Sequence, residues 1–344
     1  VEKKLAPTKG ENEFMLRIIL IKLSCLCCTG SGVIKKLRVG PSHAELPAVI
    51  KDLLLVSKKD DDLAVRAKNA LSTIAQQRGL NVVEPELDEL DAHGNSHKAD
   101  LVICIGGDGT FLSTLRKLGP LRHEAKILGV HGSRGLGFLH PLRMPQPDED
   151  ADLWATKIFD ALLSDQFDLE DWWGLEARIE GKDKNWHWAL NDFVVGRSSI
   201  SRMVDLELQV DNDILVPQLK GDGMIVSSST GSTAYSLSAG GPVLDPLIRS
   251  ILVTPICSHT MMIRPMVLKH KKVLKIRRLD DNTESLLTAD GQEAKALGHG
   301  ETVEIRCSPK SIQIVKPNSK ECSSPSYLEV LRSKLGFGKD RHAK

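Results

Sequence analysis

Net charge is nearly absent from this sequence. A formal balance of +1 over 344 residues leaves no field strong enough to draw the chain onto nucleic acid or an acidic membrane. A small polar ligand fits better, and no nucleic-acid or membrane partner is expected. Long apolar runs are absent too: no stretch reaches the roughly 18 consecutive apolar residues of a membrane helix, so a soluble chain is expected. Paired cysteines are missing. Of seven, Cys104, Cys257, Cys307 and Cys322 stand alone, without the spacing of a zinc site or a disulfide framework, and read as reduced, mostly buried thiols. Cys25, Cys27 and Cys28 cluster, but no histidine or second cysteine pair lies near them to complete a metal site. Nor is there an internal repeat, which excludes a stacked-repeat architecture.

What is present divides the chain. Its length allows about two domains of roughly 100 to 200 residues each, and two domains suggest a cleft. Residues 1–50 have no sustained period and carry Gly30, Ser31, Gly32, Gly40 and Pro41, so they read as a poorly ordered extension. Within it FMLRIILIKLSCLCC resembles the core of a signal peptide, yet Arg17 and Lys22 interrupt it. A transit peptide, a mispredicted start and a plain arm stay open, and the expected location is cytoplasmic unless that segment targets an organelle.

Folding is expected from about Asp52. DLLLVSKK reads as a strand, and DDLAVRAKNALSTIAQQRG as a helix with Leu63, Ala67, Ala70, Leu71 and Ile74 on one face before Gly79. NVVEPEL, ADLVICIGG and AKILGVH repeat the strand signal, so residues 51–146 read as an α/β amino-terminal domain with a parallel sheet. After the helix DEDADLWATKIFDALLSD, residues 147–317 change to alternating runs separated by turn signals. GLEARIEGKDKNWHWALNDFVV, MVDLELQVDNDILVPQ, MVLKHKKVLKIRR and ETVEIRCSPKSIQIV read as hairpins of a mainly antiparallel β-sandwich domain. Residues 318–344 form a polar tail with one short helix near 327–334.

Chemistry concentrates in CIGGDGTFL, residues 104–112. Asp108 follows directly from a strand and so stands at the carboxyl end of a parallel sheet, where open α/β sheets take their ligands. Gly106, Gly107 and Gly109 permit positive φ and close approach of a ligand, while amides of the turn and of a helix beginning near Thr110 point at the same space. Such a nest attracts phosphate. A carboxylate beside phosphates raises the cost of binding, so it must return something: it accepts a proton from an attacking hydroxyl or helps to hold Mg²⁺. Both roles belong to phosphoryl transfer, and the plain structural alternative is a tight turn with Asp108 as helix cap.

A second constellation, GDGMIVSSSTGSTAYSLSAGGPVLDP at 221–246, packs hydroxyls and glycines around one tyrosine. Hydroxyls and open amides suit the edges of a base and the oxygens of ribose or phosphate, and Tyr235 can stack on a ring. The isolated His123, His131, His187 and His259 read as hydrogen-bonded structural residues.

GGDGT at 106–110, LGFL at 136–139, LND at 190–192, the TGSTAY block, VTPICSHT with RPMVL, and ADGQE at 289–293 together resemble the NAD kinase family, in the family's order, over about residues 52–317. GGDGT alone is shared with lipid kinases of the diacylglycerol and sphingosine type and has a close relative in phosphofructokinases; TGSTAY is specific. The resemblance implies an ATP-dependent transferase, with Mg²⁺, that moves the γ-phosphoryl group of ATP to the 2′-hydroxyl of the adenosine ribose of NAD and makes NADP. It implies Asp108 as the catalytic carboxylate, with Gly106, Gly107, Gly109 and Thr110 at the phosphates. Phe138 would lie against the adenine, and Asn191 and Asp192 at the adenosine half. Thr230, Thr233, Tyr235 and Ser238 would line the dinucleotide site, with Asp222 at the nicotinamide end. It names no protein ligand for the metal. In related enzymes a neighbouring subunit completes the site, so a homodimer or homotetramer is implied.

Three departures stand out: Asn191-Asp192 where many members have Asn-Glu, Ser228-Ser229 where threonine-proline is usual, and GVHGSRGLGFL, one residue longer than the common pattern. The competing readings are a lipid kinase, which would need an apolar channel where residues 227–240 are polar, and a non-catalytic dinucleotide-binding paralogue, against which the intact Asp108 argues.

Overall fold

The apolar runs of the amino half are continuous rather than alternating, the mark of strands buried on both faces. The computed structural model describes residues 50–57, 61–90, 98–132, 138–198, 203–259, 263–280 and 284–336, all within one unit of the chain. Of the expected extension 1–50, residues 1–49 with the three clustered cysteines lie outside the described residues, as does part of the LGFL loop; Ile50 is buried in the first core. Strands β1 (Asp52–Ser57), β2 (Asn81–Val83), β3 (Leu101–Gly106) and β4 (Lys126–His131) pair in parallel in the order β2-β1-β3-β4. Three helices cover them: α1 (Asp62–Gln77), α2 (Asp108–Lys117) and α3 (Ala151–Leu163).

Alternation within these runs assigns each face its partner. Leu53, Leu55, Leu101, Ile103, Leu128 and Val130 share a core with Ala67, Leu71 and Ile74 of α1 and with Ile158 and Phe159 of α3. Leu54, Val56, Val102, Cys104 and Ile127 pack instead with Phe111, Leu112 and Leu115 of α2. Asp61 caps α1, accepting from the amides of Leu63 and Ala64 at 3.0 and 3.2 Å, and Asp150 caps α3 in the same way.

Two six-stranded antiparallel sheets follow. One contains Leu175–Ile179, His187–Ala189, Val204–Val210, Asp213–Gly221, Val273–Arg278 and Thr302–Cys307; the other contains Asp192–Arg197, Gly223–Ser227, Ser250–Ile256, Met266–Lys269, Ser285–Ala289 and Glu293–Leu297. Leu206, Leu208, Ile276, Val303 and Ile305 from the first meet Phe193, Val195, Met224, Val226 and Val253 from the second in one core. The expected fold class, an α/β part with a parallel sheet and then a mainly antiparallel sandwich, is the architecture found.

Several expected details are corrected. Sheet pairing does not follow the division at residue 147: α3 shares the core of α1. Ile312–Pro317 lies parallel to β4, and Phe167–Trp172 runs antiparallel to Ile312–Pro317. The chain thus returns from the sandwich to finish the first sheet. The reason is two-sided burial, since Ile312, Ile314 and Val315 are all fully buried, which a half-exposed sandwich strand would not provide. For the same reason ETVEIRCSPKSIQIV is no hairpin but a crossing between sheets. MVLKHKKVLKIRR also crosses, from one sandwich sheet to the other; the other two expected hairpins form. Among the described residues no helix is long and apolar enough to cross a membrane. Cys104, Cys307 and Cys322 are free and buried, and Cys257 is free and exposed.

Candidate active site

β3 ends at Gly106 and α2 begins two residues later, so Asp108 is the first residue of that helix, not a residue ahead of a helix starting near Thr110. Gly107 occupies the cap position with no side chain to satisfy the first turn. The amides of Asp108, Gly109 and Thr110 precede the first helical bond, from Phe111 N–H to Gly107 O at 3.1 Å, and so carry the helix's orphan donors and positive dipole end. Of the three glycines only Gly106 has positive φ; a Cβ there would lie 2.8 Å from Thr110. Gly107 and Gly109 serve by keeping their surroundings open.

Asp108 is partly exposed, its side chain at 42%, and its Oδ1 lies 3.0 Å from Nδ1 of a fully buried His140. Nε2 of that ring has no hydrogen-bond partner among the described residues, and an ionised carboxylate only accepts, so the contact requires Nδ1 to donate. His140 is seated against Phe111, ring centroids 5.1 Å apart, and in the space left by Gly129, whose added Cβ would come within 3.0 Å of the ring. Burial alone would raise the Asp108 carboxyl, but the His140 bond and the nearby His140, His131 and Lys334 outweigh it and hold it below the usual carboxylate range. Asp108 is therefore ionised at neutral pH.

The far end of α2 is tied to the sandwich. Arg116 Nη1 donates to Asp290 at 3.0 Å and Nη2 donates to Gln292, while Gln292 Nε2 donates back to Gly109 O at 2.9 Å. Asp290, at φ +49 in the ADGQE turn, also accepts from the amides of Leu190, Asn191 and Asp192 at 3.2, 2.8 and 3.3 Å. One buried carboxylate thus joins the helix bearing Asp108 to the LND loop. Burial pushes the carboxyls of both Asp290 and Asp192 up; amides and Arg116 offset this at Asp290. Asp192 has burial and the charge of Asp290 against it, and is pushed up to about 7.

Next to that loop, Thr230–Thr233 forms a single 3₁₀ turn and Tyr235–Ser238 a short helix. Phe138, Thr230 and Thr233 line one small pocket with Leu139, Trp172 and Tyr327. Asn191 Oδ1 and Thr230 Oγ1 are buried without a hydrogen-bond partner among the described residues, a costly state that a ligand relieves. Tyr235 is 47% exposed and Ser238 is exposed as well. Asp222 stands apart. The strand register pairs Ser227 with Asp192 and Gly223 with Gly196, so Asp222 lies about 16 Å along the strand from the LND loop at ~3.3 Å per residue. There it meets the Arg197 guanidinium, Nε to Oδ1 at 3.2 Å.

Residues 190–317 match the family model described as the ATP-NAD kinase C-terminal domain. The NAD kinase of Geotalea daltonii is 33% identical over 308 residues, covering 84% of this chain and 99% of its own. The NAD kinase of Syntrophotalea carbinolica is 38% identical over 242 residues, 70% of this chain and 79% of its own. The chain belongs to the NAD kinase family. Among solved structures, yeast NADH kinase complexed with NADH matches with a TM-score of 0.71 over 86% of this chain and 91% of that one, at 22% identity. An NAD kinase from Archaeoglobus fulgidus in complex with ATP gives 0.60 over 79% and 95%, at 24%. At these identities the likeness concerns the fold.

Geometry accounts for one departure from the NAD kinase pattern. Where threonine-proline is usual, Ser228 Oγ donates to Leu190 O at 2.6 Å and accepts from Gly231 N–H at 3.1 Å. Ser229 Oγ bonds Ser250 Oγ at 2.8 Å and donates to Ile248 O. Hydroxyl bonds fix the turn that a proline ring would otherwise restrict. Gly231 is indispensable there, because an added Cβ would overlap the carbonyl of Asn191. Gly231→Ala is expected to cost about 1–3 kcal/mol, as backbone overpacking does, with a loss of activity; urea unfolding checks the first part and turnover the second.

Sequence reasoning missed His140 and Arg116, and it set His131 aside as a lone structural residue, whereas the structure brings His131 beside Asp108 and His140. Only the repeated histidine flanking the LGFL loop hinted at this.

Proposed function

We propose that this chain is an ATP-dependent NAD kinase that transfers the γ-phosphoryl group of ATP to the 2′-hydroxyl of the adenosine ribose of NAD, giving NADP and ADP. The observation that carries the reading is Asp108: an ionised carboxylate, held by His140, at the open amino end of α2. A ribose hydroxyl is a poor nucleophile, so the site must align it with the γ-phosphorus and receive its proton. In a loose phosphoryl-transfer transition state the hydroxyl turns acidic only as the new O–P bond forms, so a carboxylate of low basicity suffices. Asp108 takes the proton as the P–O bond to ADP breaks, and its exposure lets the proton leave to solvent.

The amides at Gly107, Asp108, Gly109 and Thr110 would cradle the phosphates, with Gly106 making the turn. Asn191 and Asp192 would hold the adenosine half, beside the pocket of Phe138, Thr230 and Thr233; Tyr235 and Ser238 would border the dinucleotide from the exposed side. The phosphates gathered at the amide nest fit Mg²⁺, which keeps several waters beside substrate phosphates; the ion would neutralise phosphate charge, with Asp108 beside it and its oxygens left for the proton. In a homodimer or homotetramer of the kind the family resemblance implies, the Asp222 of a second copy would face the nicotinamide end. Buried free thiols support a reducing compartment such as the cytoplasm.

The test is purified full chain with Mg²⁺, ATP and NAD, coupled to an NADP-dependent dehydrogenase. Reduced dinucleotide is expected to accumulate only when both substrates are present; no signal at micromolar enzyme would overturn the reading.

A further inference from the structure

We propose that Asp108, His131 and His140 form a binding site for a divalent ion of the zinc class, and that filling it switches the transfer reaction off by occupying the carboxylate. The three residues offer ligand atoms that all lie within 4.8 Å of one another; the 3.0 Å hydrogen bond from His140 Nδ1 to Asp108 Oδ1 gives way to the ion, and the ring proton shifts to Nε2 so that the Nδ1 lone pair is free to bind. Zinc bonds of about 2.0–2.2 Å in tetrahedral geometry set ligand atoms about 3.3 Å apart. Closing the set therefore requires any pair to approach by no more than about 1.5 Å, within the reach of small side-chain rotations.

The frame around the set is closely packed. His131 is the last residue of β4 and buried; His140 has a fully buried side chain wedged between Phe111 and Gly129, and the two imidazoles meet edge to face at 5.1 Å. Of the three, Asp108 is the most exposed, and three ligands leave a fourth position to be filled, the composition of an exchangeable rather than a closed structural site. Two imidazole nitrogens and one carboxylate oxygen suit zinc, cobalt or nickel. Magnesium prefers an all-oxygen shell, so the ion accompanying ATP is not the one these residues select. The inhibitory half rests on the reading of Asp108 as proton acceptor; the binding half does not.

Cobalt(II) titrated into the metal-free full chain is the probe. The expected result is one equivalent bound with visible d–d bands of low coordination number and no thiolate charge-transfer band, which separates this site from Cys25, Cys27 and Cys28. Zinc should displace the cobalt and millimolar magnesium should not. His131→Gln and His140→Gln should each weaken binding at least tenfold, with thermal unfolding recorded beside them; if His140→Gln fails to fold, His131→Gln at the strand end and the wild-type titration still decide. In a metal-buffered assay with Mg²⁺ and ATP, the zinc concentration that fills the site should lower turnover at least tenfold, reversed by chelator. Absence of the bands, or bands that persist in the folded histidine variants, overturns the site. Undiminished turnover with the site filled overturns the switch. Cobalt binding in a chain without kinase activity would instead remove the proposed function and leave the site standing.

Discussion

Asp108→Asn is expected to lower turnover by two or more orders of magnitude while NAD affinity stays within several-fold. Asparagine has nearly the same shape, and its Oδ1 can still accept the proton that His140 offers at 3.0 Å in the wild type, so the start of α2 is preserved. What disappears is a charge and a proton acceptor at the reacting hydroxyl. General-base groups contribute about 10²- to 10⁴-fold, and their loss falls on the chemical step rather than on binding. Steady-state constants from the coupled assay check this, with the Michaelis constant for NAD as internal control. Retention of more than about a third of wild-type turnover would remove Asp108 from the mechanism.

The position of Asp108 was legible because two local signals coincide there: a continuous apolar run, which only a doubly covered strand tolerates, and glycines that end it abruptly. The TGSTAY turn was legible for a similar reason, a dense local composition. The groups that hold these pieces were not. His140 reaches Asp108 across 32 residues and Arg116 reaches Asp290 across 174, and a single histidine or arginine in a sequence carries no mark of the distant group it will meet. The return of Ile312–Pro317 to the first sheet failed to show for a related reason. Its alternating pattern is that of the hairpins before it, and the choice of partner strand depends on which apolar surface is still uncovered once both sheets exist.

The buried carboxylate pair carries the second large effect. Asp192 is pushed up to about 7 by burial and by the charge of Asp290, so between roughly pH 4 and pH 7 the folded chain holds a proton at Asp192 that the unfolded chain releases. The contribution of Asp192 to stability therefore falls as pH rises through that window and levels off above it, the reverse of an exposed, salt-bridged aspartate. Ionised Asp192 costs on the order of 4 kcal/mol above pH 7. Asp192→Asn removes the charge without changing the volume, so its midpoint of thermal unfolding should exceed the wild type by several degrees at pH 8 and converge with it near pH 4. Binding should run the other way. Ribose hydroxyls donate to a carboxylate more strongly than to an amide, so the Michaelis constant for NAD in the wild type should drop as pH rises from 6 to 8, and in Asp192→Asn it should be higher and flat. Asp108, held below the usual range, stays ionised over that interval and adds no pH dependence of its own. A variant with unaltered stability at pH 8 would mean that Asp192 is not charged in the folded chain; unaltered NAD binding would mean that its carboxylate does not face the ribose. If both shifts occur together, the chain keeps a destabilising charge in its interior because the dinucleotide needs it there.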